Sequence, residues 1–151
     1  MKNSKNIIEE FLTLRTLAVV GVSRRKDKFG NVIYRELRAR GYQVMAVNPN
    51  ADMVEGDRCY AGLGALPEIP QGIVLVIPPD QSVKILEEAA AAGIKFVWVQ
   101  PGADSPEIEK RCQEFGLSAV IGDCLLMFLS PVTSIHRIHR TLRRLSGRMP
   151  K

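Results

Sequence analysis

The sequence predicts an α/β fold, a doubly wound parallel sheet of about five strands followed by a basic amphipathic C-terminal helix. Two observations carry this. Short apolar runs rich in β-branched residues recur along the chain, each ending in a turn-rich segment, and stretches with helical apolar spacing alternate with them. Continuous apolar strands that alternate with amphipathic helices imply a sheet buried on both faces.

Residues 4–13 read as a leading helix with Ile7, Ile8, Phe11 and Leu12 on one face. A strand over 17–22 follows, then a helix over 30–40 ended by Gly41, and a strand over 43–47. Between 48 and 72 the pattern weakens among Gly56, Gly62, Gly64, Pro67 and Pro70, leaving a short strand near Cys59 and a helical turn near Leu63. A strand over 73–77 leads into a helix over 80–92, capped by Asp80 and ended by Gly93. The series closes with a strand over 96–99, a helix over 105–115 and a strand over 118–121. From Thr133 onward Ile135, Ile138, Leu142 and Leu145 recur at helical spacing opposite a run of arginines. The expected organisation is an N-terminal helix (1–15), a ligand-binding body (16–128) and a basic helical tail (129–151).

The net charge of +5 on 151 residues is unevenly placed. No acid follows Asp123, whereas Arg137, Arg140, Arg143, Arg144, Arg148 and Lys151 do, so the body is near neutral and its dense basic spot is the loop at 24–28. Cys59, Cys112 and Cys124 match no zinc spacing and suit a reducing compartment. There is no signal-peptide core and no run of about eighteen uncharged apolar residues, so a cytoplasmic protein without membrane contact is expected.

In open α/β sheets, ligands bind beyond the carboxyl ends of the strands. Five such ends are turn-rich: Gly21-Val22-Ser23, Asn48-Pro49-Asn50, Pro78-Pro79-Asp80, Gln100-Pro101-Gly102 and Gly122-Asp123-Cys124. The first opens a phosphate cradle. Gly21 lets backbone approach a ligand, the helix start near Gly30 attracts anions, and Arg24, Arg25, Lys26 and Lys28 add positive charge. A nicotinamide dinucleotide site would want G-x-G-x-x-G and, roughly 20 residues on, an acid or arginine for the ribose. Here Ser23 follows Gly21, the next glycine is Gly30, and the second strand ends in Asn48-Pro49-Asn50. A loop carrying this many cations better suits a ligand with several phosphates, such as coenzyme A with its diphosphate and separate 3′-phosphate.

The segments VVGVS, GYQVMAVNPN, VIPP, VWVQPGA and VIGDCLLMF, in that order, resemble the small single-domain CoA-binding proteins. These are similar to the N-terminal domain of the succinyl-CoA synthetase α subunit, and the match covers residues 16–128. The resemblance implies a Rossmann-like site for CoA or an acyl-CoA. Gly21, Val22 and Ser23 would meet the diphosphate, with Gly30 near the first helix start. Asn48 and Pro49 would hold the nucleotide part, Pro78 and Pro79 match the paired prolines after the third strand, and Gln100 and Gly102 the turn after the fourth. Arg24 and Lys28 are assigned to phosphate by their charge alone. Two positions depart from the family: Ile77 stands where relatives often carry arginine, and Asp123 replaces another cation. The synthetase's phosphohistidine domain and nucleotide-binding partner have no counterpart in these residues, so the expectation is a binder without catalytic residues.

Other chemistry is thinner. His136 and His139 lack a nearby carboxylate or cysteine to complete a metal set. Cys124, at a strand end, reads as a small hydrophobe or as a thiol that could form a mixed disulfide with CoA. Glu87 and Glu88 point apart on one helix and read as a solvated face. The tail arginines lack an aromatic platform, which argues against nucleic acid, while a homodimer contact stays open. The rival functions are an NAD(P)-binding enzyme or sensor and a nucleic-acid module working through the tail.

Overall fold

The computed structural model describes residues 3–129, in which a seven-stranded sheet lies between two pairs of helices. In chain order the elements are α1 (Lys5–Leu12), β1 (Thr16–Val20), α2 (Phe29–Ala39), β2 (Gln43–Val47), β3 (Met53–Val54), β4 (Asp57–Tyr60), β5 (Gly72–Leu75), α3 (Pro79–Ala91), β6 (Phe96–Val99), α4 (Pro106–Glu114) and β7 (Ser118–Ile121). Short 3₁₀ turns span Leu63–Ala65 and Leu125–Phe128. The strand order is β3-β4-β2-β1-β5-β6-β7, and every pairing is parallel except β3 with β4. The expected short strand at Cys59 is β4, which joins β2 in parallel, and the hairpin partner β3 brings the sheet to seven strands rather than five. The basic tail and its histidines lie outside the described residues.

Side chains alternate across each strand, so the sheet divides the core in two. Ala18, Val20, Ile73, Leu75, Val97 and Val99 pack with Leu86 and Ala89 of α3 and Ile108 and Cys112 of α4. Leu17, Val19, Val74, Trp98 and Val120 pack with Ile8 and Phe11 of α1 and Ile33, Tyr34 and Leu37 of α2. That double burial is why the strands read as unbroken apolar runs. The leading helix is part of this core, since Phe11 meets the fully buried Trp98 edge-on at 5.3 Å between ring centres.

Two boundaries moved for local reasons. β1 ends at Val20, because Gly21 turns the chain at φ +119°. The N-cap of α3 is Pro78, with Pro79 opening the helix and Asp80 inside its first turn; proline needs no amide partner there, so the expected Asp80 cap is corrected. Ser4 and Ser105 do cap α1 and α4, accepting from the amides of Ile7 and Ile108. No helix among the described residues is long and apolar enough to cross a membrane.

Burial pushes the Cys112 thiol from the usual 9.0 up to about 11, with the Glu109 carboxylate adding to it. Above pH 9 the unfolded thiol gives up its proton while the folded one keeps it, so stability falls as pH climbs from about 9 to about 11. Denaturant midpoints across that window should show a loss on the order of 2 kcal/mol, and Cys112→Val should flatten the slope.

Candidate functional site

Strand order reverses between β1 and β5, the place where open α/β sheets take ligands. A cavity of about 630 Å³ opens there. Gly21, Val76 and Ile77 lie at its base, Asn48, Pro49 and Asn50 on one side, and Asp80, Lys84 and Glu88 of α3 on the other. Glu88 is therefore on the cleft wall, while its neighbour Glu87 is exposed, which corrects the reading of the pair as one solvated face.

Two glycines make the geometry. A Cβ on Gly21 would stand 2.6 Å from the Val76 carbonyl oxygen, and one on Gly30 would stand 2.2 Å from the carbonyl oxygen of Gly21. The first turn of α2 thus lies directly against the turn after β1. Gly30 is buried there and serves the approach of helix to strand.

The turn itself is clamped by two asparagines. Asn48 Nδ2 donates to the Val22 carbonyl at 2.8 Å, and its Oδ1 accepts from the Asn50 amide at 2.8 Å. The fully buried Asn31 donates through Nδ2 to the Ser23 carbonyl at 2.7 Å and accepts from the Ser23 amide at 2.8 Å. The Gly21 amide is also occupied, by the Val47 carbonyl at 3.0 Å. Of the turn proposed to cradle phosphate, the Gly21 and Ser23 amides are therefore tied to protein, and the Val22 side chain is buried in the core. The clamps have an electrostatic consequence: they cover carbonyl oxygens that would otherwise repel an anion. Asn31 escaped the sequence reading, although an asparagine beside the apolar residues of α2 was a visible signal.

Charge in the following segment is more selective than its composition suggests. Arg25 pairs with Asp27 at 3.2 Å, Arg35 with Glu55 at 2.7 Å, Arg40 with Glu36 at 2.5 Å, and Arg38 with Asp57. Arg24, Lys26 and Lys28 are exposed and have no acid partner among the described residues. Lys28 is also the N-cap of α2. Lys26 thereby joins the pair singled out from the sequence.

Gly21, Asn48 and Pro49 are the sequence candidates that line the cavity; Val22, Ser23, Arg24, Lys28 and Gly30 are not part of its lining, and neither are the remaining candidates. Pro78 and Pro79 start α3. Gln100 is fully buried; its Oε1 accepts from the Leu125 amide at 2.7 Å and its Nε2 faces Cys124 Sγ at 3.5 Å, so it braces the chain after β7. Gly102, at φ +96°, donates its amide to Asp104 at 3.1 Å. Cys124 is half-buried beside Gln100, outside the lining of the cleft.

Residues 15–130 match a family model described as a CoA binding domain. The chain is 27% identical over 130 residues to acetate–CoA ligase (ADP-forming) I of Archaeoglobus fulgidus, a match that takes in 80% of this chain and 19% of the ligase. It thus spans less than a fifth of that relative's length. Among solved structures it is similar to a conserved hypothetical protein of Pyrococcus furiosus, with 39% identity, a TM-score of 0.70, and coverage of 74% of this chain and 97% of that one. It is also similar to a dinucleotide-forming acetyl-coenzyme A synthetase 1 of Ca. Korarchaeum cryptofilum, with 27% identity, a TM-score of 0.64, and coverage of 75% of this chain and 27% of that one.

Proposed function

The chain belongs to the CoA binding domain family, and from that premise we propose that it binds coenzyme A or an acyl-CoA as a binding domain without chemistry of its own. The observation that supports the reading is the cleft at the β1/β5 switch point, lined by Gly21; three residues on in the chain begins a segment whose exposed Arg24, Lys26 and Lys28 have no acid partner among the described residues. Its volume, about 630 Å³, falls in the range of small-molecule sites. In this reading residues 16–128 form the binding domain. The diphosphate lies beside the Gly21–Ser23 turn, whose carbonyls the two asparagines cover, and near the positive end of α2; the nucleotide part lies toward Asn48 and Pro49, and Arg24, Lys26 and Lys28 attract the 3′-phosphate.

A nicotinamide dinucleotide is disfavoured by the end of β2. Asn48 stands where an acid would hold the ribose, and both heteroatoms of its side chain are already bonded to backbone. Free cysteines at 59, 112 and 124 suit the reducing cytoplasm, where we place the protein.

Calorimetry with CoA, acetyl-CoA, dephospho-CoA, NAD, NADP and a short DNA duplex tests the reading. CoA and acetyl-CoA are expected to bind saturably, with CoA tighter than dephospho-CoA by about tenfold or 1.4 kcal/mol. Saturable NAD binding without CoA binding overturns it.

A further inference from the structure

We propose that Glu55 is a positioning residue which, through Asn31 and Arg35, fixes the basic segment 23–28 and so sets its preference for a ligand bearing the extra 3′-phosphate; this rests on the CoA-binding reading above. The segment holds itself weakly. Beyond the solvent-facing Arg25–Asp27 pair, its own hydrogen bonds run from the Arg25 amide to Ser23 Oγ at 3.0 Å and from the Lys28 amide to the Arg25 carbonyl at 3.2 Å, and residues 24–28 are exposed. Three unpaired cations in so short a stretch repel one another, which favours a spread ensemble unless the backbone is held from outside.

The hold comes from two side chains. Asn31 takes both the amide and the carbonyl of Ser23, and Arg35 Nη1 donates to the Lys26 carbonyl at 3.1 Å. Both converge on one atom, Glu55 Oε2, at 2.8 Å from Asn31 Nδ2 and 2.7 Å from Arg35 Nη1. Only 4% of the Glu55 side chain is exposed. Without that carboxylate Asn31 could rotate away from Ser23, and Arg35 would be drawn to solvent or to phosphate.

Glu55 is also held against its backbone preference. Its φ is +53°, the sole non-glycine residue with positive φ among those described, and Gly56 follows at φ +77°. A left-handed conformation is one that glycine adopts freely and glutamate does not. A local turn requirement would therefore select glycine at 55, whereas the carboxylate is explained by its reach into the loop network. Such strain persists where the surroundings over-determine it, which is common at ligand clamps.

The same strain supplies the test. Glu55→Gly removes the carboxylate while relaxing the backbone, so the fold should survive. Trypsin cutting within 24–28 of the ligand-free variant is expected to accelerate about fivefold or more, as local opening becomes easier. CoA affinity should fall about tenfold with dephospho-CoA changed less than about twofold. Glu55→Gln, which keeps an acceptor for Asn31 and drops the charge facing Arg35, should lie between. Equal losses for CoA and dephospho-CoA, or no change in either, overturn the proposal by showing a merely structural role. Wild-type protein that binds no CoA overturns the binding reading instead; the cutting rate then still judges the hold on the loop, which is refuted if the rate is unchanged.

Discussion

Gly30→Ala is expected to cost about 3 kcal/mol of stability and to abolish CoA binding, although alanine in a helix normally gains about 0.5–1 kcal/mol over glycine. Gly30 lies in the first turn of α2, and the new Cβ would sit 2.2 Å from the Gly21 carbonyl oxygen and 2.9 Å from its carbon. Backbone is what it meets, and that backbone has nowhere to go. Gly21 is bonded through its amide to Val47 and is itself crowded by the Val76 carbonyl. Either α2 slides away from the sheet or the turn deforms, and both separate the helix start from the cleft. Gly64→Ala is the control, because a Cβ there meets nothing within 4 Å; it should stay within about 0.5 kcal/mol of wild type. Urea denaturation and calorimetry on the two variants compare the effects directly.

What could be read in the chain was whatever repeats locally. The β-branched runs of β1, β2, β5, β6 and β7, the helix that starts at 105 and the stop at Gly93 announce themselves within a few residues, because burial on both faces and helix termini leave local patterns. The clamps did not. Asn31 reaches across eight positions to Ser23 and twenty-four to Glu55, and Asn48 reaches twenty-six back to Val22. Bonds between such distant positions have no period, so Asn48 read as a ligand residue and nothing marked Glu55. Gln100 illustrates the same limit: at a strand end, a glutamine aimed at a ligand and one bonded 25 residues away to Leu125 look alike in sequence. The cation cluster at 24–28 was overcounted by one for a local reason: Arg25 pairs with Asp27, two positions on.

That sorting of charges makes the second prediction specific. Replacing Arg24, Lys26 and Lys28 together by glutamine should weaken CoA binding by about thirtyfold, roughly 2 kcal/mol, since each is an exposed cation with no carboxylate partner among the described residues. Arg25→Gln should change affinity less than about threefold, because Arg25 is already paired with Asp27, both side chains standing in solvent at 68% and 69% exposure. Stability should move by no more than about 0.5 kcal/mol in either case, as all four side chains are exposed. The variants therefore separate charge from architecture: Gly30→Ala fails in folding and binding together, the triple variant in binding alone. Salt gives an independent reading, because attraction between solvent-facing charges is screened over a Debye length of about 10 Å at 0.1 M. Raising ionic strength should erode wild-type affinity for CoA toward that of the triple variant and leave the variant nearly flat. If both proteins lost affinity in parallel, the salt-sensitive contact would lie elsewhere, and Lys84 on the α3 wall of the cleft would be the next cation to replace.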